Sequence, residues 1–227
     1  MKNTWSQLLF DFYSQLRCPE LPAGNECMNP YLESECIVVV KEFLEKHFND
    51  TNERIVLFGI NPGRFGAGQT GIPFTDPVAL ENDLLISNVF DKRTELSSEF
   101  IYKCINAFGG PAVFYSKFLI SSVYPLGFLK DGKNLNYYEL PNAAEFISKS
   151  IVKELQKHLA WPIHRRLAFC IGQGENFKVL SHLNKTHQWF DQIRPLPHPR
   201  WVMQYRRKQV DQYVNDYVKA LSTPFAT

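Results

Sequence analysis

Four short apolar runs, at 54–60, 118–123, 167–171 and 193–196, constrain this chain more than any other feature. They are continuous rather than alternating, and each is stopped by Gly, Pro or Tyr-Pro. A run of that kind reads as a strand buried on both faces, as in a parallel sheet. Helical spacing of apolar residues fills the intervals, at 97–108, at 142–159 with Asn142 as N-cap, at 177–183 and at 206–221. Strands alternating with helices specify an α/β fold with a central, mostly parallel four-stranded sheet. Ahead of the first strand, 5–16 and 31–48 also have helical spacing, separated by the Pro-rich loop 19–30. The β-branched residues Ile37 to Val40 make the second helix less intrinsic to the chain. With these helices packed on it, the whole chain, 1–227, is read as one domain and as a monomer.

In open parallel sheets, ligands bind beyond the carboxyl ends of the strands. All four runs end in unusual loops there: Gly59-Ile60-Asn61-Pro62-Gly63, Ser122-Val123-Tyr124-Pro125, Gly172-Gln173-Gly174 and Pro197-His198-Pro199-Arg200. In the first, glycines allow close approach to the main chain. Neutral Asn61 and aromatic Phe74 on its extension suit a flat, uncharged ring. The third offers half a dinucleotide fingerprint, but its last glycine is missing and Glu175 would meet a phosphate, which argues against a nucleotide. Two prolines stiffen the fourth around His198. Arg200, Trp201, Tyr205, Arg206, Arg207 and Lys208 follow. Basic residues interleaved with rings fit a nucleic-acid contact. The competing reading is the solvated first turn of the last helix, with Trp201 and Tyr205 packed inward. Asp76, beyond Phe74, is a second candidate for activating water, set against a role as helix cap.

Composition narrows the classes. At 44% hydrophobic and 21% charged the chain is not a disordered one. A net charge of +2 means that any DNA-binding charge is local. No apolar run approaches the ~18 residues of a membrane span, and residues 1–16 contain no clean signal-peptide core. Five cysteines, with no C-x-x-C pair, point to a reducing, cytoplasmic setting. Those at 18, 27 and 36 are too far apart for a zinc or iron–sulfur hairpin and read as buried or idle thiols. No metal and no other cofactor is expected.

Taken together, these motifs resemble the uracil-DNA glycosylase superfamily, and within it the single-strand-selective monofunctional (SMUG) branch, in a bacterial form. The similarity rests on Gly59-Ile60-Asn61-Pro62-Gly63, Phe65-Gly66, Gln69-Thr70-Gly71-Ile72-Pro73-Phe74, and His198-Pro199 before a basic segment. It implies a three-layer α/β/α fold and excision of uracil from single- or double-stranded DNA, with 5-substituted uracil, xanthine or hypoxanthine as further substrates. By resemblance Asn61 orients the attacking water and His198 donates to the base carbonyl O2. Ile60, Gly63, Phe74 and Ser122 form the base pocket, with Phe74 as the stacking ring. Gly63 lies where uracil-strict relatives carry a tyrosine that excludes a 5-methyl group, which implies free room near C5. Arg200, Trp201, Arg206 and Arg207 are the DNA contacts, the first two as wedge candidates. Two positions depart from the family pattern. Ser122 stands at the place of a base-reading asparagine, and Arg200 directly follows Pro199 where the family has Ser-Pro-Arg-Asn. The alternatives are a hydrolase of free nucleosides, which leaves the basic segment unexplained, and a non-catalytic DNA-binding module, which leaves Asn61 and His198 unexplained.

Overall fold

A computed structural model describes residues 3–225. The chain opens with helix α1 (Trp5–Ser14), strand β1 (Asn25–Met28) and helix α2 (Ser34–His47), then enters strand β2 (Ile55–Gly59). Helices α3 (Ala67–Thr70), α4 (Pro77–Asn82), α5 (Leu96–Ala107) and α6 (Pro111–Lys117) lead to strands β3 (Phe118–Ser122), β4 (Gly127–Lys130) and β5 (Lys133–Leu135). Next come α7 (Ala143–Phe146), a π-helical turn (Ile147–Ile151) and α8 (Val152–His158). Strand β6 (Leu167–Ile171), helix α9 (Glu175–His187), strand β7 (Gln192–Leu196) and helices α10 (Pro199–Tyr205) and α11 (Val210–Ser222) complete the elements used below.

The four expected strands form one parallel sheet in the order β3-β2-β6-β7, flanked by helices. Every residue of β2, β3 and β6 is buried, as continuous apolar runs require. Strand β7 is the exception. It lies at the edge and is half exposed, which is why it tolerates Pro195. Helix α1 packs on α2, and α5 packs on α10 and α11. Just before β2, Arg54 is fully buried. Its guanidinium pairs with Asp50 at 2.7 Å, donates to the Tyr115 carbonyl and lies over the rings of Trp5 and Phe48. Among the described residues no helix is long and apolar enough to cross a membrane.

Several expectations need correction. The loop 19–30 contains β1, which pairs antiparallel with β4, itself paired with β5 in a second, three-stranded sheet. Its strands have three or four residues and a mixed polar composition, so neither a run nor an alternation announces them. Cys18 and Cys27 are not idle thiols. A turn at Ala23-Gly24 returns the chain into β1, their Cα atoms stand 5.8 Å apart, and a disulfide joins them. Cys36, Cys104 and Cys170 are free and buried. The Cys18–Cys27 pair forms at a separation of 9 residues, so no C-x-x-C motif marks it. Asn142 occupies the N-cap position of α7, but its side chain makes no capping hydrogen bond. The last helix starts at Val210 rather than Arg206, and 199–205 is a separate helix instead of a loop.

Candidate active site

A cleft of about 810 Å³ opens at the carboxyl ends of β2, β3, β6 and β7. Ile60, Asn61, Gly63, Phe74, Ser122, His198, Arg200 and Trp201 all line it. Eight of the ten residues singled out from sequence thus converge on one cavity. Arg206 and Arg207 lie outside that lining.

Asn61 leaves β2 and is held at both ends of its amide. Its Nδ2 donates to the Leu135 carbonyl at 3.1 Å, and its Oδ1 accepts the Tyr137 N–H at 3.0 Å. The partners are the last residue of β5 and the segment just after it, so the small antiparallel sheet fixes the orientation of this side chain. Tyr137 is itself fully buried. Its hydroxyl donates to Asn176 Oδ1 at 2.8 Å, Asn176 Nδ2 donates to Cys170 Sγ, and the Cys170 thiol donates to the Gly172 carbonyl. The hydrogen bonds therefore run from Asn61 to the end of β6.

Phe74 has a left-handed backbone, φ 54°, which is uncommon for a residue with a bulky side chain. That turn lays its ring over the end of β2. A Cβ added at Gly59 would stand 2.7 Å from the ring, so the glycine is there to admit it. Ser122 is paired in register with Gly59 on the neighbouring strand.

His198 is the N-cap of α10. Its Nδ1 accepts the Arg200 N–H at 3.2 Å. An accepting Nδ1 leaves the proton on Nε2, so the ring is a neutral donor with a single tautomer. Burial, and after it the charge of Arg200, pushes the imidazole down to about 4. The imidazole comes close to Gly172, where a Cβ would lie 3.6 Å from Cδ2. The Tyr217 hydroxyl donates to the Pro197 carbonyl and ties α11 to the approach to this residue.

Trp201 and Tyr205 are exposed rather than packed inward, at 38% and 65%. The inward-packed reading of 201–205 therefore fails, because helix α10 turns these rings outward. Arg206 stacks on Trp201 at 4.8 Å. Asp76 is a helix cap: its Oδ1 accepts from Val78 and Ala79 at the start of α4, and its Oδ2 accepts the Glu95 N–H. Beside Gly63 lie the side chains of Glu95 and Asn134. A Cβ there would lie 3.0 Å from Glu95 Oε1 and 3.3 Å from Asn134 Nδ2. Glu95 was missed from sequence, although a glutamate at the N-cap of a helix is a poor cap and so a flag. Asn134, Tyr137 and Asn176 carried no such signal.

The parallel sheet thus brings an amide, an aromatic ring and a neutral imidazole onto one cleft. The model of the Uracil DNA glycosylase superfamily matches residues 45–222, and the chain belongs to that superfamily. It is thereby a DNA glycosylase-type hydrolase, with DNA as its substrate. Within the superfamily it is SMUG-like. It is similar to the crystal structure of wild-type SMUG2 from Pedobacter heparinus, with 37% identity, a TM-score of 0.95 and full coverage of both chains. No curated protein matches it.

Proposed function

We propose that this chain is a monofunctional glycosylase that excises uracil flipped out of DNA, in base excision repair, and leaves the strand intact. The observation that carries the reading is a single-tautomer His198 donor on the same cleft as Asn61. Hydrolysis separates a cationic sugar from an anionic base. The C1′–N1 electron pair leaves with uracil, the water oxygen bonds to C1′, and the water's proton neutralises the departing anion. Asn61 is a neutral amide, so it can hold the water but cannot take its proton. Most of the work therefore falls on the leaving group. His198 Nε2–H donates to O2 as charge develops there, a preorganised contact worth roughly 3–4 kcal/mol.

Flipping the base costs a few kcal/mol, least in single strands and mismatches. Stacking on Phe74 returns roughly 1–3 kcal/mol of it. Ile60 walls the pocket. The Ser122 hydroxyl both donates and accepts, which suits it to xanthine and hypoxanthine as well as uracil. Arg200 and Trp201 enter the DNA, Arg206 and Arg207 hold phosphates, and the protein acts as a monomer without a cofactor. Incubation with single- and double-stranded oligonucleotides containing one uracil, followed by alkali, tests the reading. Free uracil and an alkali-labile but otherwise uncut strand are expected. The absence of any alkali-labile product from every deaminated base, at high enzyme concentration, overturns it.

A further inference from the structure

Asn61 and His198 follow the ends of β2 and β7, two strands that are not neighbours, because β6 lies between them. A line of buried side chains with no part in the mechanism above spans the gap. Tyr137 begins a short helical turn just after β5. Its N–H holds Asn61 Oδ1 at 3.0 Å, and its hydroxyl donates to Asn176 Oδ1 at 2.8 Å. Asn176 lies in the first turn of α9 and is buried. It donates onward to Cys170 Sγ at 3.3 Å, and that thiol donates to the Gly172 carbonyl at 3.4 Å. Gly172 in turn donates its N–H to the Leu196 carbonyl at 2.8 Å, two residues before His198. The His198 ring lies against the same glycine, 3.6 Å from where a Cβ would stand.

Such a line is costly to bury. Polar atoms taken out of water need hydrogen-bond partners, and the Tyr137 hydroxyl, both ends of the Asn176 amide and the Cys170 thiol all have them. Apolar side chains of the same shape would fill this core with nothing to satisfy, and such paired exchanges are often neutral or stabilising. Stability alone therefore does not call for the line. What it supplies is direction, because a hydrogen bond fixes where its partner points. Burial pushes the Tyr137 hydroxyl up, so it stays a donor and Asn176 Oδ1 its acceptor. That settles which way the Asn176 amide faces. At the other end, the Tyr137 N–H takes one lone pair of Asn61 Oδ1 and leaves the second for a water in the cleft.

We propose that Tyr137 and Asn176 are positioning residues, whose hydrogen bond sets the Asn61 amide in place relative to the His198 donor across β6. The proposal rests on the glycosylase reading, in which Asn61 holds the water and His198 meets the base. Water must stand at C1′ while the base leaves it, so the two groups have to be held at one separation. A misplacement of about 1 Å, caused far from the chemistry, can cost roughly 100-fold in rate. Both residues act through Asn61 rather than on the reacting atoms.

The test is single-turnover cleavage of a single-stranded oligonucleotide carrying one uracil. A range of enzyme concentrations separates the saturated rate from the half-saturating concentration. Tyr137→Phe keeps the ring and the N–H to Asn61 and removes only the hydroxyl. It is expected to lower the saturated rate by about tenfold, the scale of a buried hydrogen bond whose partner is left unsatisfied. The half-saturating concentration is expected to stay within about twofold. Asn176→Ala is expected to act alike and carries the test if Tyr137→Phe does not fold. The double variant should lose no more than either single one, since both remove the same bond. In an Asn61→Ala background, followed over hours with enzyme in excess, Tyr137→Phe is expected to cost less than about twofold, because the amide it positions is gone. Given a parent that cuts uracil, three results overturn the positioning role: an unchanged saturated rate in both single variants, losses that multiply in the double variant, or an equal loss with and without Asn61. A parent inactive on uracil instead overturns the glycosylase reading beneath it.

Discussion

At the scale of single residues, His198 shows how a helix cap can set a tautomer. Its Nδ1 is spent on the Arg200 N–H, which fixes the donor on Nε2. His198→Ala is expected to lower the single-turnover rate by about 10²–10³, the loss of one preorganised donor to developing negative charge. The pH dependence follows from the same position. An imidazole pushed down to about 4 stays neutral across the neutral range. The rate therefore should show no His198 titration between about pH 5 and 8, where an ordinary histidine would titrate near 6.5. A pH–rate profile of the parent with an inflection near 6.5 that vanishes in His198→Ala would contradict this.

Among the elements, α10 bears on the proposed wedge and phosphate roles, which the sequence reading already kept apart. It presents Arg200, Trp201 and Tyr205 on the cleft side, and Arg206 lies beyond, stacked on Trp201. Arg200→Ala and Trp201→Ala are expected to slow duplex cleavage more than single-strand cleavage, because only a duplex exacts the full unstacking cost. Arg206→Ala should instead weaken binding to every sequence and flatten the salt dependence of affinity by about one unit. Equal losses on duplex and single strand for the first two variants would remove the wedge role from α10. The sequence does not announce α10 as a helix of its own. His-Pro-Arg-Trp gives a sound start signal, Pro at the first helical position, but seven residues are too few for apolar periodicity to show. The parallel strands were legible for the opposite reason. Total burial leaves β2, β3 and β6 as uninterrupted apolar runs. The small sheet has one buried position pair in β4 and otherwise mixed exposure, so its pattern carries no period.

For the molecule as a whole, contacts between distant segments decided what sequence reading could not reach. Asn61, Phe74, Ser122 and His198 were found because each stands at the end of a legible strand or in a loop that leaves one. Glu95 and Tyr137 enter the site through tertiary contacts 30 and 76 residues away in the chain, and no local pattern encodes such a meeting. The Cys18–Cys27 bond is of the same kind. It closes a short loop next to β1, and Met28 of that strand packs against both Gly127 of β4 and Gly68 of the first loop. Reduction is expected to lower unfolding free energy by roughly 2–3 kcal/mol, from the restored freedom of a loop this short. Urea denaturation with and without reductant measures it. The remaining cysteines are free and buried, so among the described residues reductant has no other disulfide to open. An unchanged midpoint would mean that the bond constrains nothing the unfolded chain would otherwise explore.

The clasp between Asn61 and the segment after β5 also supplies a clock. The Tyr137 amide proton is held by the oxygen of Asn61 itself, so it can exchange with solvent only when that clasp opens. Its exchange rate in heavy water then counts how often the cleft loses its oriented amide, with no substrate present. Asn61→Ala is expected to hasten exchange at Tyr137 while leaving the amides of β2 and β6 slow. If Tyr137 exchanges no faster in that variant, the hairpin holds its own shape and Asn61 is a passenger on it.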